Sequence, residues 1–336
     1  MNAPVLQKKD YRSDQEVRWC PGCGDYAILN AVTQVFAELQ MSREKTVIIS
    51  GIGCSSRFPY YLSTYGFHTI HGRAPTIATG VKLANPDLDV WVVTGDGDAM
   101  SIGGNHLIHA LRRNVNLKIL MFNNRIYGLT KGQFSPTSEQ GKVTKSSPMG
   151  ALDRPFNPLA LALGSGATFV ARTGDVLAKH MPDVLKAAAQ HQGAAFVEIM
   201  QNCNIFNDEA WDHLVEKDVR DDRLVDLRPG KPVRFGKNLS KGVRLRGLEL
   251  ETFDVTPANE SECITWDPTA PNPAIAFMIA HFVEGVQPTP IGIFRDISVA
   301  PFDHLVHDQI AAARAKKGEG DLAKLIDSGD VWDVTE

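Results

Sequence analysis

An apolar run that stops in Gly95-Asp96-Gly97-Asp98, a helical stretch after it, and a second apolar run that stops in Asn123-Asn124 constrain this chain more than anything else in it. The stretch reads VVTGDGDAMSIGGNHLIHALRRNVNLKILMFNN. Short apolar runs bounded by turn residues read as buried strands. Two such strands joined through a helix are parallel, because a parallel pair needs a crossover connection. Both polar clusters then fall at strand carboxyl ends, where open α/β sheets bind ligands.

The same alternation continues on either side. A helix is expected from Tyr26, where Ile28, Leu29, Val32, Val35, Phe36 and Leu39 keep helical spacing. TVIISGIG reads as a buried strand and PTIATGVKLANPD as a helix opened by proline and stopped at Asn-Pro. Beyond Asn124 comes a long polar loop, RIYGLTKGQFSPTSEQGKVTKSSPMG, of a length that in a compact domain signals function or disorder. PLALALGSGA (helix), TFVART (strand), DVLAKHMPDVLKAAAQHQ (helix) and AAFVEIM (strand) follow. The predicted fold is α/β, a mostly parallel sheet with helices on both faces. From about Ile205 the pattern weakens into charged and proline-rich pieces. The expected organisation is an N-terminal arm over 1–18, a ligand-binding domain over 19–210, and a C-terminal extension over 211–336.

The two strand-end clusters suit a magnesium-bound diphosphate. Mg²⁺ prefers hard oxygen ligands in an octahedron that protein and phosphate share. Asp96 offers a charged oxygen, Asn124 a neutral one, and the carbonyl of Ile126 a third. Gly95 and Gly97 are expected to let backbone approach the phosphates, and the following helix to present N–H groups to the anion. Gly-Asp-Gly followed some tens of residues later by Asn-Asn resembles the diphosphate-binding domain of thiamine diphosphate enzymes. Activating thiamine also takes a carboxylate against its aminopyrimidine, which this superfamily usually supplies from a second α/β domain. Only one such domain is legible here, so a partner subunit is expected to carry the other half.

Five cysteines remain to be explained. Cys20 and Cys23 bracket Pro-Gly just before the first helix; Cys54 follows the first strand, and Cys203 follows AAFVEIM. Cys54 and Cys203 therefore share the edge of Asp96, and all four thiols converge if the first helix starts there too. Spacing leaves a redox pair, structural zinc and an iron–sulfur cluster open. A thioredoxin-like pair would follow an apolar strand, which YRSDQEVRW is not. Oxidative decarboxylation on thiamine releases two electrons, which a [4Fe–4S] cluster can carry singly and zinc cannot. Cys263 has no partner pattern and is expected not to be a ligand. His106 and His109 lie three apart on a helix without a third ligand, which fits packing better than a metal.

The motifs CPGCGDY, GIGCSSR, HGRAPTIATGVKLANP, GDGDAMSIGGNH and NNRIYGLTKGQFSPT together resemble the β subunit of 2-oxoacid:ferredoxin oxidoreductases over about residues 16–210. The resemblance implies that Cys20, Cys23, Cys54 and Cys203 hold one [4Fe–4S] cluster and that Asp96, Asn124 and Ile126 hold Mg²⁺. Thiamine diphosphate would be lined by Ile52, Gly53, Cys54 and Ser55, by His71, Gly72, Arg73 and Ala74, and by Gly97, Asp98, Gly128 and Leu129. His71 is a candidate to hydrogen-bond a phosphate or the reacting group. Arg57 is a candidate for the substrate carboxylate, and Lys131 a weaker one. The implied reaction is reversible, coenzyme A-dependent oxidative decarboxylation of a 2-oxo acid. 2-Oxoglutarate, giving succinyl-CoA and CO₂, is favoured over pyruvate and other 2-oxo acids.

Ferredoxin and an α subunit are the implied partners, in a heterodimer or a dimer of heterodimers. A non-oxidative thiamine decarboxylase subunit with structural zinc, and a non-catalytic zinc-binding interaction module, are the alternatives. A formal net charge of −4 gives no electrostatic reason for nucleic acid or an anionic membrane. No run of 18 apolar residues appears. The first residues lack the apolar middle of a signal peptide, so a cytoplasmic protein is expected.

Overall fold

A computed structural model of the chain describes residues 5–334. The ends of the expected arm and extension, residues 1–4 and 335–336, lie outside the described residues. In chain order the first half contains α1 (Asp25–Glu38), β1 (Thr46–Ser50), β2 (Tyr65–His68), α2 (Ala74–Ala84), β3 (Asp89–Gly95), α3 (Asp96–Met100), α4 (Gly104–Arg112) and β4 (Leu117–Asn123). Then come α5 (Pro158–Gly164), β5 (Phe169–Gly174), α6 (His180–Gln190), β6 (Ala195–Met200), α7 (Asp212–Val215), α8 (Arg220–Arg223), β7 (Leu224–Leu227) and β8 (Arg234–Phe235). The chain closes with β9 (Lys241–Arg246), β10 (Glu249–Asp254), α9 (Ala274–Ala280), β11 (Thr289–Asp296), α10 (Phe302–Lys317) and α11 (Leu322–Ile326).

Eight strands form one sheet in the order β2-β1-β3-β4-β6-β5-β11-β7. Strands β2 through β5 in that order run parallel, and β11 joins β5 antiparallel. The central strands are buried on both faces, which is why they read as continuous apolar runs. Alternate side chains serve two cores. Val47, Ile49, Val92, Ile119 and Met121 pack with α2, α4, α5 and α9, while Ile48, Trp91, Val93, Leu120 and Phe122 pack with α1 and α6.

Local chemistry sets the helix ends. Pro75 sits in the first turn of α2, which stops before Asn85-Pro86. The Asn157 side chain accepts from Ala160 N–H at 3.1 Å to cap α5. The single helix expected after Gly-Asp-Gly is two, α3 and α4, broken at Ser101–Gly103. There Gly72, at φ +69°, lies against Gly103: a Cβ on Gly72 would stand 2.5 Å from Gly103 backbone atoms.

The stretch beyond residue 210 departs from the expected extension. Its strands β7 and β11 complete the main sheet, and β8, β9 and β10 form a small antiparallel sheet. The boundary at 210 is therefore not a break in the fold. β2 also went unread, because all four of its residues are exposed at the sheet edge and carry no burial pattern. Among the described residues no helix is long and apolar enough to cross a membrane.

Candidate active site and thiol cluster

After β1 the chain runs outward to β2; after β3 it runs the other way to β4. The carboxyl ends of β1 and β3 thus flank a topological switch point, the usual ligand crevice of such sheets. A cleft opens there. It is lined by Ile52, Gly53, Cys54 and Ser55 from the loop after β1, and by Asp96, Gly97 and Asp98 from the start of α3. Asn124, Ile126, Gly128 and Leu129 after β4 line it too, as does His71.

Asp96 is buried, and its Oδ2 accepts from Ser135 Oγ at 2.5 Å and Thr137 Oγ1 at 2.6 Å. Burial, opposed by those hydroxyls, pushes its carboxyl up to about 6. A carboxylate drawn out of water in this way gains from an adjacent cation. Asn124 Oδ1 meanwhile accepts from the N–H of Ile126 at 3.2 Å. One anionic and one neutral oxygen on one cleft wall are the hard donor set that Mg²⁺ takes.

Sequence reasoning missed Ser135 and Thr137, although both stand in the quoted SPT run, because nothing local ties that loop to Asp96. Thr137→Val removes one donor to the carboxylate. We expect Mg²⁺ affinity to fall about 10–100-fold, the usual scale for a ligand's supporting partner, with Thr137→Ser restoring it. Mg²⁺ titration of cofactor binding measures this.

Asp98 braces the loops around the cleft. Its Oδ1 accepts from Gly72 N at 2.8 Å and Ile52 N at 3.3 Å and lies 3.0 Å from His71 Nδ1; its Oδ2 accepts from Thr94 Oγ1 at 2.7 Å. A carboxylate at Nδ1 holds the proton there and leaves Nε2 of a neutral His71 as an acceptor. Arg73 turns away to His106, Nη1 to Nε2 at 2.6 Å, and Ala74 is buried at the start of α2. Of the segment His71–Ala74, only His71 lines the cleft.

Gly95 and Gly97 have different surroundings. A Cβ on Gly97 would lie 2.2 Å from Tyr127 Cε1, so Gly97 makes room for that ring; Gly95 is the open position, with nothing nearer than 3.6 Å. Tyr127 also donates its hydroxyl to Gly97 O at 2.9 Å. Gly97→Ala must displace the ring and with it the neighbouring Ile126 and Gly128. A loss of about 1–3 kcal/mol is expected, as for other overpacked sites, read as a lower Tm with weaker thiamine diphosphate retention.

The two substrate candidates lie off the cleft lining. Arg57 Nη1 donates to Arg18 O at 2.7 Å, and its charge acts on Cys54. The reason is that Ser55–Tyr61 forms a 3₁₀ turn that carries Arg57 toward the N-terminal arm. Lys131 is exposed, at φ +79°. His106 and His109 belong to α4, and Cys263 is buried beside Gly242 of β9.

Cys20 and Cys23 lie on the same edge as the cleft. Gly24 N donates to Asn202 O at 3.1 Å, Asn204 Nδ2 to Pro21 O at 2.6 Å, and Trp19 Nε1 to Cys54 O at 2.7 Å. These bonds tie the segment before α1 to the loops after β6 and β1. A Cβ on Gly128 would stand 3.4 Å from Cys203 Sγ and 3.8 Å from Cys54 Sγ. Cys20 and Cys203 both bear on the Cys54 thiol, and Cys203 and Cys54 on that of Cys23.

Burial, then the Asp25 carboxylate, pushes the Cys54 thiol up to about 11 and that of Cys23 further. Asp25 is itself buried and raised to about 7, by desolvation and then by Asp175. Bare thiolates are therefore disfavoured here, and a cationic centre is what would deprotonate them. Among the described residues no three His, Cys, Asp or Glu side chains close around one metal ion. Four thiols gathered on one edge are a donor set that tetrahedral zinc and a [4Fe–4S] cluster both take.

The long loop after β4 is not loose. Arg125 pairs with Glu139 at 2.8 Å and with Glu284 at 2.6 Å, and its guanidinium stands 3.7 Å over the Trp211 ring. Trp211 and Glu284 come from beyond residue 210, so that region braces the loop that bears Ser135 and Thr137.

A parallel sheet with a switch-point cleft, a buried aspartate and an asparagine at adjacent strand ends defines a thiamine diphosphate-binding domain. The family model described as thiamine pyrophosphate enzyme, C-terminal TPP binding domain, matches residues 51–199. The 2-oxoglutarate oxidoreductase subunit KorB of Mycobacterium tuberculosis is 56% identical over 97% of this chain and 88% of its own. The 2-oxoacid:ferredoxin oxidoreductase 1 subunit beta of Aeropyrum pernix is 42% identical over 69% of this chain and 79% of its own. A solved 2-oxoglutarate:ferredoxin oxidoreductase from Magnetococcus marinus, with 2-oxoglutarate, coenzyme A and succinyl-CoA bound, superposes with a TM-score of 0.76. It is 33% identical, over 97% of each chain. The chain belongs to the β subunits of the 2-oxoacid:ferredoxin oxidoreductases and is an oxidoreductase of that family.

Proposed function

We propose that this chain and an α subunit carrying the aminopyrimidine-binding half convert 2-oxoglutarate and coenzyme A to succinyl-CoA and CO₂, reversibly, in the cytoplasm. Electrons pass through a [4Fe–4S] cluster on Cys20, Cys23, Cys54 and Cys203 to ferredoxin. The observation that carries this reading is that all four thiols and the Asp96–Asn124 cleft share one sheet edge, with Gly128 between Cys54, Cys203 and the cleft. Thiamine diphosphate supplies the carbanion-stabilising ring and the cluster supplies one-electron transfer when they are bound.

The chain's own residues hold and orient. Asp96, Asn124 and the Ile126 carbonyl bind Mg²⁺, and the Ser135 and Thr137 hydroxyls aim the Asp96 carboxylate. Asp98 fixes the His71 tautomer, so that Nε2 accepts a proton or hydrogen bond at the cleft. 2-Oxoglutarate is supported by the names of the relatives. Arg57, bonded to the Arg18 carbonyl and off the cleft lining, adds no support to that choice. The subunit divides functionally into the arm to residue 18, the cofactor domain to 210, and a remainder that meets the partner. Leu322, Leu325, Ile326 and Trp332, all exposed at its end, are the apolar side chains suited to that contact.

Anaerobic co-purification with the partner, followed by iron, zinc and thiamine analysis and a panel of 2-oxo acids with coenzyme A and ferredoxin, tests the reading. A brown protein that dithionite bleaches, most active on 2-oxoglutarate, is expected. A colourless protein with stoichiometric zinc overturns the electron-transfer role.

A further inference from the structure

Gln201 stands where the cleft and the thiols meet. It is the first residue after β6, two before Cys203, and is 1% exposed. Its main chain is fixed, since Gln201 N donates to Asn123 O at 2.9 Å, beside Asn124. Its side-chain Nε2 donates to Cys23 Sγ at 3.3 Å and to Asn202 O at 2.6 Å. The carbonyl settles which end is nitrogen, because a flipped amide would set oxygen against oxygen. The other end, Oε1, is buried and has no hydrogen-bond partner among the described residues. Gln201 also lines the cleft with Asp96 and Asn124. A buried amide oxygen left unpaired is uncommon in native proteins and calls for a partner from outside the chain.

We propose that Gln201 couples the cofactor cleft to the cluster. Its N–H donates to the Cys23 thiolate and raises the cluster's reduction potential, and its unpaired oxygen accepts a hydrogen bond from a donor on the molecule that fills the cleft. This rests on the iron–sulfur reading above. A hydrogen bond to a thiolate sulfur favours the cluster state of greater negative charge, which is the reduced one. Filling the cleft pins the amide and strengthens its N–H contact with Cys23. The cluster then becomes easier to reduce once the cofactor that delivers electrons is in place. Gln201 is a positioning residue in this scheme, acting on the reaction through Cys23.

The test uses the complex purified with its partner. Gln201→Met keeps the length and flexibility of the side chain and removes both donor and acceptor. Iron content is measured first, and the cluster is then titrated by EPR-monitored potentiometry, with and without added thiamine diphosphate and Mg²⁺. We expect wild-type iron content in Gln201→Met, a more negative midpoint than wild type, and loss of the positive shift that cofactor addition produces in the wild type. An iron-replete variant with the wild-type midpoint and the wild-type response overturns the inference. Should Gln201→Met fail to assemble, the wild-type enzyme labelled with ¹⁵N at the glutamine side-chain nitrogen decides. Pulsed EPR should then show ¹⁵N coupled to the reduced cluster, and its absence overturns the inference. A protein that carries zinc in place of iron overturns the iron–sulfur reading itself, a result distinct from an iron-loaded variant with an unchanged midpoint.

Discussion

Asp96→Ala is expected to abolish cofactor retention while leaving the cluster in place. The substitution removes the charged oxygen on the cleft wall and leaves two donors, Ser135 Oγ and Thr137 Oγ1, without their acceptor. Outer partners of a metal ligand are commonly worth about 10–100-fold in affinity, so loss of the ligand itself should exceed about 100-fold for Mg²⁺. Asp96 sits at the end of β3, whereas the cysteines are set by the loops after β1 and β6 and by the turn before α1. Iron and visible absorbance should therefore stay at wild-type levels while bound thiamine falls to background. An Asp96→Ala enzyme that retained thiamine diphosphate would remove Asp96 from the Mg²⁺ site.

Cys54→Ala should give the reverse phenotype. A [4Fe–4S] cluster takes four thiolates, and Cys54 lies beside Cys203 across Gly128. Without its Sγ the cluster is lost or fails to assemble, and 2-oxoacid-dependent reduction of ferredoxin ceases. The Cys54 backbone remains anchored, since its carbonyl accepts from Trp19 Nε1 at 2.7 Å, so the cleft wall keeps its course and thiamine diphosphate binding largely survives. Iron and thiamine analysis of one preparation separates the two effects. Full ferredoxin reduction by Cys54→Ala would show the ligand assignment to be wrong. The two variants together would establish the cleft and the thiol cage as separable parts of one edge.

The central strands and the helices between them were legible because burial on both faces imprints long Val, Ile and Leu runs on the sequence. The edge strand β2 was not, since none of its residues is buried. β11 was obscured by its proline and glycine, TPIGIFRD, and by lying antiparallel to β5 far along the chain. At the site, Asp96 and Asn124 were legible because each directly follows a strand. Ser135, Thr137 and Gln201 were not, because hydroxyls and amides are ordinary in loops and only their distant partners give them meaning. Gly97 has a neighbour that only the fold reveals: its missing Cβ accommodates Tyr127, thirty residues on.

By itself, then, the sequence determined the alternation of strands and helices, the placement of polar clusters at strand ends, and the pairing of thiols with a thiamine-type motif. These follow from near-neighbour patterns, periodicity and turn chemistry, which operate over a few residues. The tertiary structure alone decided that the turn holding Cys20 and Cys23 docks on the cofactor edge, through bonds from Gly24 to Asn202 and from Asn204 to Pro21. It alone turned Arg57 away from the cleft and brought Trp211 and Glu284 back to brace the loop behind Asp96. Those outcomes depend on contacts between segments far apart in the chain, whose geometry is fixed only when both cores are packed.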